Sequence, residues 1–350
     1  MKAYTSDEFF MNRCIELAKM GKGNVAPNPM VGAVIVHNNK IIGEGYHKIY
    51  GGPHAEVNAI NQVIDKTLLE DSIIYVSLEP CAHTGKTPPC ADLIVKHNIR
   101  KVVIGMVDPF ARVNGLGIKK LKSNGAEVII GVLNKECINL NREFITFHTQ
   151  KRPHIILKWA QTKDGFIDRI RNPEDKQEPN WITNEACRAL VHKWRSEISS
   201  ILVGTNTAHT DNPNLDVRTW SGSSPIRIVF DRTLRLPNTL NLFNKKQTTL
   251  VINEIKNEQS QKLEYIKIPF NQNFISSFNN LLYNRKISSV LIEGGLATLK
   301  LFIENNYWDE ARVFIGNKLF DEGVPAPKIY SVNSMEFKLD DSTLIIHQNN

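Results

Sequence analysis

The chain has no run of apolar residues long enough to span a bilayer, so a membrane-embedded role is not expected. It also lacks the basic, apolar, small-residue succession of a secretory signal. The opening MKAYTSDEFFMNRCIELAK is amphipathic instead, with Phe9, Phe10, Cys14, Leu17 and Ala18 at helical spacing. Cysteine is scarce: Cys14, Cys81, Cys90, Cys137 and Cys187 are the five. An odd count, spread thinly, argues against a disulfide scaffold, and the expected compartment is the cytoplasm. No G-x-G-x-x-G opens a helix after the first strand of the second half, so the usual Rossmann dinucleotide fold is not indicated there. No internal repeat and no long low-complexity segment is present. Aromatic and basic residues are not interleaved, and nucleic acid is not expected as a partner. The formal charge of +7 would serve equally to attract a phosphorylated small molecule.

The 350 residues, 41% apolar and 23% charged, suit two domains of ordinary size, 1–148 and 149–350. The first half alternates helices and strands. Helices are expected over Thr5–Met20, His54–Ile64, Ala91–His97 and Gly117–Ser123. Strands are expected over Val31–His37, Ile41–Tyr46, Ser72–Ser77, Lys101–Met106 and Glu127–Gly131. Asn139–Arg152 reads as a bridge. In the second half, strands are expected over His154–Ala160, Ile198–Val203, Ile226–Phe230, Thr248–Ile252 and Ser288–Ile292. Helices are expected over Asn184–Arg195 and Gly295–Ile303. Arg169–Asn180, with six charges and two prolines, reads as an exposed loop. Asparagine-rich patches between Asn238 and Asn284 read as surface loops. Both halves therefore read as α/β.

The chemistry concentrates in GGPHAEVNAI and SLEPCAHTGKTPPC. His54, Cys81 and Cys90 offer one imidazole and two thiolates, a nitrogen–sulfur set suited to zinc with a fourth position open to water. Glu56 stands two residues beyond His54, within reach of such a water without ligating the metal. It can take the water's proton and pass it to a leaving amine, the division of labour of zinc deaminases, whose first signature is H-x-E. Eight residues separate the two cysteines, against two in the common pattern. Two blander readings stand beside this one. In one, His54 caps a helix and the cysteines are buried small residues; in the other, the three hold a structural zinc, which leaves Glu56 unexplained. Lys86 and Thr87 can donate to a substrate phosphate. Asn28, stiffened between Pro27 and Pro29, can donate to and accept from a ring amide. His47 is either a substrate contact or a surface histidine.

Taken together, N-P-M-V-G-A-V, G-E-G-Y-H, H-A-E and P-C-A-H-T-G-K-T-P-P-C resemble the pyrimidine deaminases of riboflavin biosynthesis, within the cytidine deaminase superfamily. The resemblance covers about residues 5–145. It implies a cytidine-deaminase-like three-layer domain acting on a 2,5-diaminopyrimidinone that carries ribosylamine 5′-phosphate. It also implies zinc on His54, Cys81 and Cys90, with Glu56 as the proton shuttle. Asn28, His47, His83, Lys86 and Thr87 fall where that family contacts the ring or the ribose phosphate.

In the second half, polar residues cluster at strand ends, where parallel sheets bind ligands. Lys158, Thr162, Asp164 and Gly165 mark one end, Gly204–Thr207 a second and Glu293–Gly295 a third. Gly294 and Gly295 permit a phosphate close to the backbone N–H groups at the next helix's start. K-x-A-x-T-x-D-G, W-I-T-N-E-A-C-R-A-L-V-H-K-W-R, V-G-T-N-T-x-x-x-D-N-P-x-L-x-x-R and L-I-E-G-G resemble the reductase domain fused behind that deaminase, with a dihydrofolate-reductase-like fold. The resemblance implies NADPH as cofactor and reduction of the ribosyl side chain. It places Lys158, Ala160, Thr162, Gly204, Thr207, Asp211, Gly294 and Gly295 by the cofactor. It places Lys158, Thr183, His192, Arg195, Asp211, Asn212, Leu215, Arg218 and Glu293 by the substrate, with Asp211 as a candidate for orienting or protonating the sugar. Phe166–Ile167–Asp168 and the charged Arg169–Asn180 segment depart from that family's pattern. The resemblance also suggests a homodimer or homotetramer. The competing reading is a superfamily deaminase acting on another nucleotide or a nucleic-acid base, with a C-terminal half that only binds or dimerises.

Overall fold

A computed structural model of the chain describes residues 5–82, 88–110, 114–171, 180–330 and 333–349. The chain divides into two compact units, Met1–Lys151 and Arg152–Asn350.

The first unit comprises α1 (Ser6–Lys19), β1 (Gly32–His37), β2 (Lys40–Tyr46), α2 (Ala55–Gln62), β3 (Ile73–Leu78), α3 (Cys90–Lys96) and β4 (Lys101–Met106). It continues with α4 (Leu116–Ser123), β5 (Glu127–Ile130), α5 (Asn134–Leu140) and α6 (Arg142–Thr149). Thr5 caps α1 in a reciprocal box with Glu8, which fixes the helix start. The sheet order is β2-β1-β3-β4-β5. β1 runs antiparallel to β2 and β3, and β3, β4 and β5 are parallel. Alternate residues feed opposite faces, as a strand's period of two requires. Ala33 and Ile35 pack with Ala59, Ile60, Ile94 and Leu121 of α2, α3 and α4. Val34 and Val36 pack with Phe10, Met11 and Cys14 of α1 and Cys137 of α5. Gly45 lets α2 lie close on β2: a Cβ there would come within 2.5 Å of the Ala59 nitrogen. That approach sets the position of His54 and Glu56 at the start of α2.

The boundary between the units, after Lys151, falls within the expected bridge Asn139–Arg152, but most of that stretch is helical: it holds the end of α5 and all of α6, inside the first unit. Phe144 and Phe147 are buried, and the Asn141 side chain both accepts from Met30 N (2.8 Å) and donates to Met30 O (3.0 Å). The apolar Phe144, Ile145 and Phe147 outweigh the polar residues around them.

The second unit comprises β6 (His154–Gln161), β7 (Phe166–Asp168), α7 (Glu185–Glu197), β8 (Ser200–Gly204), α8 (Thr205–Asp211), β9 (Ile226–Phe230), β10 (Thr249–Asn253) and β11 (Glu258–Ser260). It continues with β12 (Leu263–Lys267), α9 (Phe274–Asn284), β13 (Ser289–Ile292), α10 (Leu296–Glu304), β14 (Glu310–Ile315), β15 (Val324–Pro325), β16 (Asn333–Leu339) and β17 (Ser342–Gln348). The sheet order is β11-β12-β10-β9-β8-β13-β6-β14-β17-β16. The seven strands from β12 to β14 in that order are parallel. Ile155 and Leu157 point into a core with Phe274, Phe278, Leu282, Leu299 and Phe302 of α9 and α10. Ile156 points into the opposite core, with Ala208, Leu215 and Leu242.

The asparagine-rich region is also corrected. It holds β12 and α9 as well as loops. Phe274, Ile275, Phe278 and Leu282 recur at helical spacing and are buried, so this stripe overrides the polar composition.

Candidate active sites

In the first unit, the backbone delivers three ligand atoms to one point. His54 is the residue just before α2, Cys90 opens α3, and Cys81 lies in the loop after β3. His54 Nδ1 stands 3.6 Å from Cys81 Sγ and 3.3 Å from Cys90 Sγ. The three ligand atoms lie within 4.8 Å of one another. A tetrahedral zinc with ordinary bond lengths spaces nitrogen and sulfur about 3.5 Å apart, so the donors fit such an ion. The Cys90 N–H donates to Cys81 Sγ at 3.3 Å, which favours a thiolate. Hydrogen bonding from Cys90, with His54 beside it, holds the Cys81 thiol well below the usual range.

Glu56, in the first turn of α2, is only 3% exposed. Burial and the Cys81 sulfur push its carboxyl up to about 7. A cavity of about 260 Å³ opens here, and Asn28, His47, His54, Glu56 and Cys81 line it. The Asn28 amide donates to His47 Nε2 at 3.1 Å, and His47 Nδ1 donates to the Pro53 carbonyl at 3.0 Å. This arrangement leaves His47 a single neutral tautomer, and burial lowers its pKa accordingly. His47 is 3% exposed, so it is no surface histidine. His83, Lys86 and Thr87 lie outside the described residues.

The same cavity is lined by residues that sequence reasoning did not single out: Glu79, Asp108, Phe110, Phe144 and His148. Glu79 accepts from the N–H groups of Asp108, Gly115, Gly117 and Ile118 at 2.9–3.2 Å, which ties the loop before α4 to the end of β3. Burial raises the Asp108 carboxyl to about 6. The Glu79–Pro80–Cys81 adjacency was the only available signal.

In the second unit, the ends of β6 and β13 lie side by side, since Ile292 pairs with Leu157. Lys158 and Glu293 follow these residues, and their charged atoms stand 3.7 Å apart. Arg195 of α7 grips Glu293 through Nε and Nη2, each at 2.8 Å. Burial raises the Glu293 pKa, but Arg195 and Lys158 overcome it and hold the carboxyl at about 2. Burial likewise lowers the Lys158 pKa, opposed by Glu293. Arg195 also donates to the Asp216 carbonyl (3.2 Å), and the Arg218 N–H donates to His192 Nδ1 (3.2 Å). Lys158, His192, Arg195, Arg218 and Glu293 thus form one connected group.

Asp211, at the end of α8, has its carboxyl raised to about 6 by burial, with the charges of Arg171, Asp168 and Lys158 acting on it. Asp168 and Arg171 were not singled out from sequence; they pair at 2.9 Å. Gly204 N donates to Gly294 O (3.3 Å) and Gly295 N to Thr207 Oγ1 (2.8 Å). Gly294 has φ +128°, a backbone that side-chain-bearing residues rarely adopt. Gly295 precedes α10 and gives it no side-chain cap, which suits a phosphate-bearing cofactor.

Other expected residues are occupied within the fold. Thr162 Oγ1 accepts from Phe166 N at 3.0 Å in the turn between β6 and β7. The Asn212 side chain accepts from Asn241 N at 2.7 Å. The Leu215 side chain is 2% exposed, inside the core. Ala160 lies on β6, paired with Phe314, and the Thr183 carbonyl accepts from Arg188 at 3.2 Å.

Fold and sites together define a cytidine-deaminase-like unit with a His/Cys metal site, followed by a dihydrofolate-reductase-like α/β unit. Residues 4–106 match the cytidine and deoxycytidylate deaminase zinc-binding region, and residues 153–347 match the RibD C-terminal domain. The riboflavin biosynthesis protein RibD of Aquifex aeolicus is 38% identical over 325 residues, 91% of this chain and 89% of that protein. A diaminohydroxyphosphoribosylaminopyrimidine deaminase/5-amino-6-(5-phosphoribosylamino)uracil reductase from Thermotoga maritima is 37% identical, with a TM-score of 0.86 over 98% of both chains. Acinetobacter baumannii RibD is 31% identical, with a TM-score of 0.85 over 98% of both chains. The chain belongs to the RibD family of riboflavin biosynthesis proteins, deaminase and reductase in one polypeptide. Among the described residues, no helix is long and apolar enough to cross a membrane.

Proposed function

We propose that the first unit hydrolyses the 2-amino group from 2,5-diamino-6-ribosylamino-4(3H)-pyrimidinone 5′-phosphate. The second unit then reduces the ribosyl side chain with NADPH, giving 5-amino-6-ribitylamino-uracil 5′-phosphate. The observation that carries this reading is the buried Glu56 beside His54, Cys81 and Cys90, in one cavity with the Asn28–His47 pair. The similarity to the Thermotoga maritima protein supports the choice of substrate.

His54, Cys81 and Cys90 would hold zinc, which when bound supplies the Lewis acidity that makes a water nucleophilic near neutral pH. Glu56 takes the proton of the attacking water on its carboxylate and delivers it to the departing 2-amino group, which leaves as ammonia. Its burial keeps that proton exchangeable near pH 7. Asn28, fixed through His47, presents its remaining amide groups to the ring edge.

In the second unit, the ribosyl ring opens to an imine. NADPH, when bound against Gly204, Gly294 and Gly295, supplies the hydride that reduces C1′. Lys158, held by Glu293, and Arg195 orient the sugar phosphate. Asp211, poised at about 6, holds a proton for the nitrogen.

The test incubates the metal-loaded protein with the diaminopyrimidinone ribosylamine phosphate. Ammonia release, and NADPH oxidation that depends on it, supports the reading. Ammonia release from cytidine or single-stranded nucleic acid instead would overturn it.

A further inference from the structure

His148 occupies the penultimate position of α6 and lines the same cavity as Glu56 and Cys81. Three phenyl rings surround its imidazole. Phe144, one turn earlier on α6, lies 4.4 Å away between ring centroids, and Phe110 lies 4.8 Å away. Phe147 meets it edge-on at 5.4 Å. Phe110 and Phe144 line the cavity as well.

Neither ring nitrogen of His148 has a hydrogen-bond partner among the described residues. The residue is half-buried and lines the cavity, so a bound molecule can reach its ring nitrogens, and an aromatic filler at this place would need no nitrogen. Burial lowers the pKa of His148. Near neutral pH the ring therefore offers one N–H donor and one nitrogen acceptor, and no charge. A sugar hydroxyl, itself both donor and acceptor, matches that pair. A phosphate favours a charged donor and matches it less well.

We propose that His148 is a substrate-binding residue of the deaminase unit. It hydrogen-bonds a ribosyl hydroxyl while Phe110 and Phe144 pack against the C–H face of the sugar. The inference rests on the ribosylamine substrate proposed above. The pyrimidinone ring then meets Glu56 and Asn28, and the sugar meets the aromatic wall.

The test compares the full-length, zinc-loaded wild type with His148→Phe and His148→Gln. Ammonia release is followed on two substrates, the ribosylamine phosphate and the same diaminopyrimidinone carrying a methylamino group in place of the sugar. His148→Phe is expected to raise KM for the ribosyl substrate about tenfold, the worth of one hydrogen bond, with kcat within about twofold. His148→Gln recovers most of the affinity. On the methylamino substrate, wild type and His148→Phe behave alike. Unchanged KM on the ribosyl substrate, or an equal loss on both substrates, overturns the proposal and leaves His148 a packing residue. Zinc content and melting temperature are read on the same samples, and His148→Met replaces a phenylalanine variant that does not fold. No ammonia from the wild type on the ribosyl substrate overturns the substrate reading, and this proposal with it. Wild-type turnover with an unaltered His148→Phe KM overturns this proposal alone.

Discussion

Arg195 meets Glu293 in a two-point contact, Nε to Oε1 and Nη2 to Oε2, each 2.8 Å. The two side chains are 11% and 7% exposed, and the Lys158 ammonium stands 3.7 Å from Glu293 Oε2. Removing one partner of such a buried group leaves an uncompensated charge.

Glu293→Gln is therefore expected to destabilise the C-terminal unit by roughly 3 kcal/mol and to raise the reductase KM, with ammonia release unchanged. Denaturant unfolding and separate assays of the two activities check this. The folded carboxyl sits at about 2 against an ordinary 4.5, so its stabilising contribution is complete above pH 4.5 and lost as pH falls through about 2. The variant's stability should depend less on pH over that acid range.

Asp211 has the opposite sign. Its carboxyl is raised from 3.8 to about 6 by burial, so it favours the folded state at low pH and loses that contribution as pH rises through about 6. Asp211→Asn is expected to stabilise the unit by roughly 1–3 kcal/mol at pH 8 and hardly at all near pH 3.5, while reductase turnover falls. Unfolding curves at the two pH values, beside NADPH oxidation, provide the check.

Glu56→Gln keeps the size of the side chain and all three metal ligands. It should retain zinc, measured by elemental analysis, and lose ammonia release by on the order of 10²-fold or more. Near-normal turnover in this variant would reduce the metal site to a structural one.

Chelation should separate the two activities. Stripping the metal is expected to abolish ammonia release and spare NADPH oxidation on the already deaminated intermediate, because the Lys158–Glu293–Arg195 group has no part in the metal site. Restoring zinc should restore ammonia release.

The metal group was legible because His54, Glu56, Cys81 and Cys90 carry chemistry by type and spacing, and glycines and prolines mark their loops. The reductase strands were legible because β6, β9 and β13 each carry a short apolar run, Ile155–Leu157, Ile228–Phe230 and Val290–Ile292, as strands buried on both faces do. What escaped depended on long-range contact. Four backbone N–H groups from residues 108–118 converge on Glu79, which no local pattern announces. Phe144 and His148 were hidden by a reading of their segment as a bridge. Asn212 stands in a motif that points to ligand binding, yet its side chain holds Asn241, and only tertiary structure distinguishes the two uses.

The most direct measurement follows ammonia and NADPH in one reaction on the diaminopyrimidinone ribosylamine phosphate, with the zinc-loaded chain. Ammonia is expected first, then NADPH oxidation that begins only as the deaminated intermediate accumulates. No ammonia from a protein with zinc confirmed in place, or NADPH oxidation that precedes it, would overturn the two-step assignment.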